Sequence, residues 1–241
     1  MHQPAIVLVR PQLGENIGKA ARAMLNFGLT DLRLVAPRDG WPNPDAGPTA
    51  SGADEVLDRA QVFDTLSDAL ADCNLTFATT VRPRGIIKEV VTPKDAAERT
   101  RALEAKTGRA AFVFGPERSG LENDDVAQSD AIVTVPVNPN FGSLNLAQAV
   151  ILMAYEYSQM PLATPSDEAA LLPAAKAELD GLYGQMESAL DARGYFFPEN
   201  RADLMRRTLR NILERAGFSG QEVQTLRGIV KQLLRAPNGE A

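Results

Sequence analysis

Two loops hold most of the residues that could do chemistry in this chain, and each follows a short apolar run. The first loop, residues 115–120, reads GPERSG and follows the run at 111–114. The second loop, residues 136–142, reads PVNPNFG and follows the run at 132–135. Short apolar runs are typical of buried strands, and ligands of parallel α/β sheets bind where loops gather at the carboxyl ends of strands. Two such loops predict one ligand held largely by backbone groups.

The side chains that are present exclude several kinds of chemistry. His2 is the only histidine and Cys73 is the only cysteine, and we place His2 at a frayed terminus. A histidine general base, a metal site built from His or Cys and a disulfide framework are therefore not expected. A serine or cysteine nucleophile would also lack a histidine to activate it. We predict a metal-free protein.

Three segments of the chain together resemble a known family. GPERSGL and NFGSLNLAQAV resemble the second and third motifs of the SPOUT superfamily of knotted RNA methyltransferases. The first motif of the TrmH/TrmJ branch has its counterpart in Asn16-Ile17-Gly18 followed by Ala21-Arg22-Ala23-Met24. Each motif alone is a weak signal, but three in the right order and with about the right spacing are specific. The resemblance covers roughly residues 4–160 and follows the TrmJ-like tRNA ribose methyltransferases most closely.

The resemblance implies a catalytic group and a cofactor, S-adenosylmethionine. The catalytic group is Arg22, Asn16, Glu117, Ser143 and Asn145. The cofactor would be touched mostly by backbone groups of four loops, at Thr79, Thr80, Val81, Gly115, Val135, Gly142, Ser143 and Leu144. Two of these positions, Val81 and Gly142, depart from some relatives.

Removal of the proton is the hard part of methyl transfer to a ribose 2′-hydroxyl, because this hydroxyl is a poor acid. The family's catalytic arginine corresponds to Arg22, and an arginine keeps its own proton. Its minimum role is to position the neighbouring phosphate and stabilise alkoxide charge, while proton transfer assisted by the phosphate stays open. Glu117 is the alternative base, although we favour a structural acid that ties loop N–H groups. Asn16, Ser143 and Asn145 would hold the motif loops and the ribose by hydrogen bonds.

The strands that position these loops alternate with helices. Five apolar runs predict strands: residues 5–9, 32–35, 75–78, 111–114 and 132–135. Their alternation with helices predicts an open, mostly parallel α/β sheet. A nucleotide-binding dehydrogenase would need its glycine-rich turn after the first strand, whereas here the glycine loops follow the fourth and fifth predicted strands. The family resemblance alone adds a C-terminal trefoil knot to this SPOUT-like methyltransferase domain, which we place at residues 1–160.

Two predicted helices carry the polar motif residues. Asn16 is expected to cap a helix that ends near Gly28, because its side chain can accept from a first-turn N–H. Ser143 is expected to cap a helix over residues 143–159 that is apolar nearly all round and therefore buried on most sides. The resemblance adds a homodimer formed through this helix. Residues 36–53, rich in proline and glycine, are either a functional loop or a tolerated insertion.

The chain after residue 160 has a different character. Residues 161–173 form a proline-rich linker in our interpretation, and residues 174–241 form a small all-helical extension. Seven acids and two bases lie in residues 165–200, whereas eight bases and three acids lie in residues 201–235. Either these opposite charges pair with each other, or the basic half helps to bind RNA.

We predict a cytoplasmic homodimer that methylates a ribose 2′-oxygen of RNA with S-adenosylmethionine. The resemblance points to tRNA, at the pyrimidine of position 32 on the 5′ side of the anticodon loop. The alternatives are the same transfer on ribosomal RNA or at another tRNA site, and a noncatalytic RNA-binding protein that keeps the fold. Candidate contacts to RNA are basic: Arg10, Lys19, Arg82, Arg84, Lys88 and the bases of residues 201–235.

Composition limits the partners of the protein. The chain of 241 residues has a net charge of −6 and a pI of about 5.0. This acidic balance argues against a surface coated with bases for nonspecific nucleic-acid binding, but it is compatible with a local basic patch. No apolar run approaches the ~18 residues of a membrane span, and the first residues show no secretory signal. We therefore expect no membrane partner.

Overall fold

The computed structural model describes residues 3–81, 86–138, 140–161 and 172–235. Its strands are β1 (Ala5–Val9), β2 (Leu32–Val35), β3 (Gln61–Phe63), β4 (Leu75–Thr79), β5 (Glu89–Val91), β6 (Ala110–Phe114) and β7 (Ala131–Val133). Within the described residues they form one sheet of order β3-β2-β1-β6-β4-β7-β5, in which every pairing is parallel. The predicted parallel α/β sheet is confirmed, whereas the trefoil knot stays a prediction.

The helices of the described residues fall into a group that packs on the sheet and a group that follows it. The first group is α1 (Gly14–Leu25), α2 (Ala46–Ala50), α3 (Asp54–Asp58), α4 (Leu66–Leu70), α5 (Pro93–Glu104), α6 (Asn123–Ala127) and α7 (Leu146–Gln159). The second group is α8 (Lys176–Asp191), α9 (Glu199–Arg215) and α10 (Gly220–Leu233). The predicted C-terminal helical region is therefore present.

The sheet separates two apolar cores, because side chains of a strand alternate between its faces. In β1, Ile6 and Leu8 point into the core that also holds the buried residues of α1, α5 and α7. Val7 points to the opposite core, which it shares with α4 and α6. A strand covered on both faces needs apolar residues at every position, which explains why all five residues of β1 are buried.

Two helix caps differ from the prediction. Helix α1 begins before Asn16, with Leu13 at the N-cap position, so Asn16 lies inside the first turn. Helix α7 is capped by Asn145, whose side chain accepts from Ala147 N–H. Because the side-chain oxygen of Gln148 accepts from Asn145 N–H, the capping box forms at Asn145 and leaves Ser143 in the preceding loop.

Residues 36–53 are not structureless, because they contain α2, which packs closely on α1. A Cβ atom added at Gly18 would lie 2.1 Å from the backbone oxygen of Ala46. The two helix backbones therefore approach each other at a point where only glycine fits. This contact fixes the outer side of α1, the helix that carries two of the motif residues.

The C-terminal helices contact the sheet domain through a buried ionic cluster. Lys176 at the start of α8 is 3% exposed and lies 2.8 Å from Asp130, which follows α6. Its ammonium group also donates to Glu214 of α9. Burial alone would lower the pKa of Lys176, but Asp130 and Glu214 outweigh it and raise the pKa. The cluster therefore links the first helix of the extension to the sheet domain by charge as well as by packing.

No helix within residues 3–81, 86–138, 140–161 and 172–235 has the length and apolar character needed to cross a membrane. Within the same ranges, no group of three or more His, Cys, Asp or Glu side chains is arranged to hold a metal ion. His2 and the linker residues 162–171 lie outside the described residues.

Candidate active site

An open cleft lies over the carboxyl ends of β6, β4 and β7. The empty space between its walls is about 800 Å³, open solvent at its mouth included. All eight residues that the resemblance assigns to the cofactor line it: Thr79, Thr80, Val81, Gly115, Val135, Gly142, Ser143 and Leu144. Neighbouring strands in the sheet therefore gather loops that are far apart in the sequence, as the parallel arrangement requires.

Hydrogen bonds hold the loops of this cleft together. Thr80 N–H donates to the Val133 carbonyl at 3.1 Å, and the Thr134 hydroxyl donates to the Thr80 carbonyl at 2.8 Å. A Cβ atom at Gly115 would lie 2.2 Å from Leu121 N, so the loop after β6 can close on itself only with glycine there. The cleft wall is thus built from closely spaced backbone, which suits a ligand recognised mainly by backbone groups.

A chain of side-chain hydrogen bonds joins the three sequence motifs beside the cleft. Asn145 Nδ2 donates to Asn16 Oδ1 at 3.2 Å, and Asn16 Nδ2 donates to Glu117 Oε1 at 2.8 Å. The second carboxylate oxygen of Glu117 accepts from Gln12 N–H at 2.9 Å. The residues come from α1, the loop after β6 and the cap of α7, so this chain fixes three elements relative to one another.

Both oxygens of Glu117 are engaged in these bonds, and this bears on its role. A carboxylate that accepts from a backbone N–H and from an amide holds the loops in place. Each carboxylate oxygen has a second lone pair, so the choice between a structural acid and a general base falls to the Glu117→Gln variant. In the structure Glu117, which lines the cleft, ties the loop after β1, through Gln12, to α1, through Asn16.

Arg22 and Ser143 are not part of this chain of hydrogen bonds. Arg22 is exposed on α1, does not line the cleft of its own chain, and donates from Nη1 to the Ser51 hydroxyl at 3.3 Å. No carboxylate among the described residues forms an ion pair with it. Ser143 lines the cleft and is exposed. Arg22 is therefore a cation that faces solvent and is available to a phosphate.

Sequence reasoning missed several residues of the site. The backbone of Gln12 and the side chain of Thr134 tie loops together, and Arg118 contributes to the cleft wall. Arg118 lies in the GPERSG loop, and its position next to Glu117 could have predicted its place in the cleft wall. The hydrogen bonds of Gln12 and Thr134 join residues that are distant in the sequence, so no local sequence pattern predicts them.

The structure corrects several predicted contacts to RNA. Lys88 is 9% exposed and donates to the carbonyls of Ala127 and Ser129, so it faces the interior. Burial lowers the pKa of Lys88 to about 8. Arg10 is bound by both carboxylate oxygens of Asp125. Neither residue is therefore the free surface base that the sequence suggested.

Other predicted bases divide into paired and unpaired groups. Lys19 pairs with Glu15 on the surface of α1 at 3.3 Å. Three arginines of α9 pair with acids of α6, α8 and α9 itself: Arg206, Arg207 and Arg210. Five bases of residues 201–235 form no ion pair with a described carboxylate: Arg201, Arg215, Arg227, Lys231 and Arg235. Arg82 and Arg84 lie outside the described residues. Part of the basic segment therefore pairs with acids, and RNA binding by its remaining bases stays a prediction.

Comparison with known proteins gives matches along nearly the whole chain. A sequence model described as the SpoU rRNA methylase family matches residues 3–155, and one described as the C-terminal domain of tRNA methyltransferase TrmJ matches residues 177–241. The tRNA (cytidine/uridine/adenosine-2′-O-)-methyltransferase TrmJ of Pseudomonas aeruginosa (strain UCBPP-PA14) is 37% identical, over 97% of this chain and 95% of its own length.

Solved structures show the same relationship. The crystal structure of TrmJ from Z. mobilis ZM4 is 56% identical with a TM-score of 0.90, covering 97% of this chain and 100% of that chain. A structure described as giving insights into the 2-OH methylation of C/U34 on tRNA is 25% identical with a TM-score of 0.52. It covers 65% of this chain and 94% of that one.

The family matches, together with the parallel sheet and the backbone-lined cleft, identify an RNA methyltransferase of the SPOUT class, whose methyl donor is S-adenosylmethionine. Within that class the chain belongs to the SpoU methylase family, in the TrmJ group of tRNA 2′-O-methyltransferases. The cleft suits this donor, because its wall combines close backbone at Gly115 with apolar side chains at Val135 and Leu144. A nucleoside with an apolar face and polar edges needs both kinds of contact.

Proposed function

We propose that this protein transfers a methyl group to a ribose 2′-hydroxyl of tRNA, at the pyrimidine of position 32, and that it acts in the cytoplasm as a homodimer. The observation that carries the proposal is the hydrogen-bonded chain from Asn145 through Asn16 to Glu117, directly beside the cofactor cleft. A noncatalytic RNA-binding protein would have no need to hold three motif residues in this arrangement. The family membership supplies the reaction class.

Each site residue has a role in this proposal. S-adenosylmethionine supplies a methyl group on a positively charged sulfur. Arg22 binds the phosphate next to the target ribose and stabilises the charge that develops on the 2′-oxygen. Glu117, Asn16 and Asn145 hold the loops so that the hydroxyl and the donor meet in line. Ser143, exposed in the cleft wall, donates to or accepts from the ribose.

The choice of tRNA position rests on the TrmJ likeness, and a neighbouring position is the main rival. The structural relative at 25% identity is described as acting on C/U34, which also lies in the anticodon loop. Methylation of ribosomal RNA is the second rival, since the family description itself names rRNA. The contacts of the cleft do not distinguish position 32, position 34 and ribosomal RNA. The methylated nucleotide therefore has to be mapped by experiment.

The deciding experiment is to incubate the full chain with radiolabelled S-adenosylmethionine and separate pools of total tRNA and total ribosomal RNA. We expect label in tRNA only, released by nuclease digestion as a 2′-O-methylated pyrimidine from position 32. Label at position 34 or in ribosomal RNA would correct the substrate. Calorimetry with S-adenosylhomocysteine should show binding, and the absence of binding and of label together would contradict the proposed enzyme.

The homodimer is supported by an apolar face that the single chain leaves open on α7. Ile151 is 37% exposed and Tyr155 is 47% exposed, and Tyr155 makes an edge contact with Phe27 of α1, with ring centroids 5.9 Å apart. A helix that is apolar on its outer side as well as its inner side is expected to meet a partner. We therefore expect two copies of the chain to pack through α7.

Replacing Ile151 with glutamate tests this interface. The charge would have to be buried without a partner in the dimer, so we expect light scattering to give a monomer at micromolar concentration and methylation to be lost. The control is Val62→Glu, a similarly exposed apolar residue on the edge strand β3, which should leave the mass unchanged. A monomeric Ile151→Glu variant with full methylation would show that the dimer is not required.

A further inference from the structure

Phe141 is an aromatic side chain that the fold leaves almost entirely in solvent. It is 78% exposed, the largest exposed fraction among the large apolar side chains of the described residues. Phenylalanine is usually buried in folded proteins, so an exposed one directly before residues that line a cleft needs a reason. Its ring makes no aromatic contact with another described residue.

Phe141 lies in the loop after β7. Phe141 N–H donates to the Asn138 carbonyl at 2.9 Å, and Asn140 N–H donates to the Asn138 side chain at 2.9 Å. The residues that follow at once, Gly142 to Leu144, line the cofactor cleft. Phe141 therefore directly precedes the cleft wall in the chain, while its exposed ring is not part of that wall.

Two more exposed apolar side chains stand on the neighbouring loops. Val81 lines the cleft and is 48% exposed. Leu13 is also 48% exposed and follows Gln12, whose N–H is bound by Glu117 of the cleft wall. Three loops, after β1, β4 and β7, thus each carry one exposed apolar side chain, and each loop also takes part in the cleft or in its hydrogen bonds. Exposed apolar groups on the loops around a polar reaction centre suit a ligand with a flat apolar face.

We propose that Phe141 stacks on the base of the nucleotide whose ribose is methylated, which makes it a positioning residue for the reaction. The proposal rests on the proposed function. When a 2′-hydroxyl enters the cleft, the base on the same ribose lies close by, and Phe141 is the exposed aromatic residue directly before the residues that line the cleft. Unpaired bases of RNA loops are commonly held by stacking on aromatic side chains.

Stacking also fits the range of bases in this family. Every base has a π face, so stacking tolerates different bases, whereas hydrogen bonds to base edges discriminate between them. The relative from Pseudomonas aeruginosa is named for cytidine, uridine and adenosine together. A ring such as Phe141, which has no hydrogen-bonding group, can hold each of them in the same place.

The experiment is a double-mutant cycle on the full-length protein. The substrates are a tRNA that the parent protein methylates and the same tRNA with an abasic residue at the mapped target, which keeps the ribose and its 2′-hydroxyl. The proteins are the parent, Phe141→Leu, which keeps an apolar side chain but loses the π face, and Phe141→Tyr, which keeps the ring. Rates are measured as kcat/KM for methyl transfer.

For the parent protein, removing the base should lower kcat/KM about 10-fold, the scale of one stacking contact. Phe141→Leu should lower kcat/KM about 10-fold on normal tRNA but have little further effect on abasic tRNA, because the two changes remove the same contact. Phe141→Tyr should restore the parent behaviour. The affinity for S-adenosylhomocysteine by calorimetry should be the same in all three proteins.

Other results would overturn the proposal. If removing the base lowers kcat/KM by the same factor in the parent and in Phe141→Leu, the ring does not touch the base. A monomeric Phe141→Leu by light scattering would assign the ring to the contact with a second copy, and a weaker S-adenosylhomocysteine affinity would assign it to the cofactor. Failure of the parent protein to methylate any tRNA would overturn the proposed function as well. This result is told apart from failure of the stacking proposal alone, because it appears in the unsubstituted protein.

Discussion

Replacing Arg22 with alanine is expected to lower the rate of methyl transfer about 10²–10³-fold, the scale for loss of one preorganised group that stabilises charge. Arg22 is exposed and donates a hydrogen bond to the Ser51 hydroxyl. Its loss should therefore not disturb the fold. Alanine is also a better helix former than arginine, and Ile17 and Met24 still bury the inner face of α1. The effect should appear in catalysis and leave thermal stability nearly unchanged.

The measurement is single-turnover methylation with saturating tRNA, which separates the chemical step from binding. Lys19→Ala is the matched control, since Lys19 is an exposed base on the same helix whose partner is the surface acid Glu15. We expect it to keep a rate close to that of the parent. Arg22→Lys tests geometry, because lysine keeps the charge but lacks the planar fork that binds a phosphate at two points. It should recover little of the rate.

The Glu117→Gln variant tests whether Glu117 is a structural acid or the base that removes the proton of the 2′-hydroxyl. Glutamine keeps the shape but turns one acceptor into a donor, so the carboxylate's bonds to Gln12 and Asn16 cannot both survive. If the role is structural, we expect a lower melting temperature and a moderate loss of rate. If Arg22→Ala methylates at close to the parent rate while Glu117→Gln is inactive and stable, glutamate is the base and the roles assigned here are reversed.

The central part of the fold could be predicted because its strands are buried on both faces. Residues 5–9 and 32–35 are uninterrupted or nearly uninterrupted apolar runs, and the structure places β1 and β2 at the same residues. The strands β3 and β5 were missed, since each has three residues and lies at an edge of the sheet with exposed positions. A short edge strand is defined by its neighbour, and its own sequence carries little signal.

The wall of the cleft could be anticipated from motifs, whereas the partners of the motif residues could not. Glycine-rich loops are local features, but the bond between Asn16 and Glu117 spans 101 positions and that between Asn145 and Asn16 spans 129. Lysine is a surface residue by default, so nothing at Lys88 or Lys176 indicated burial. Their environment is created by the docking of α8 and α9 on the sheet domain, a long-range event.

The second large effect is expected at this docking surface: Lys176→Met should destabilise the protein by about 3–5 kcal/mol. Methionine approximates the length of lysine but removes the ammonium group next to Glu214, which is 4% exposed, and leaves it only the more distant Arg210 at 4.0 Å. Burial already raises the pKa of Glu214, and Lys176 opposes that rise. Loss of the lysine should therefore force Glu214 either to bind a proton or to break the contact between α9 and the sheet domain.

Chemical denaturation followed by circular dichroism measures the loss, and hydrogen exchange shows where it acts. We expect faster exchange in α8 and α9, with the sheet little changed. Lys19→Met is the control, because its pair with Glu15 is exposed and should change stability by less than about 1 kcal/mol.

Adding Glu214→Leu to Lys176→Met should recover most of the loss, since no buried charge then lacks a partner. Asp130 stays satisfied in that double variant, because it also accepts from the backbone N–H and the hydroxyl of Thr76. A single Lys176→Met variant as stable as the parent would show that the ionic cluster is not what holds the C-terminal helices to the catalytic domain.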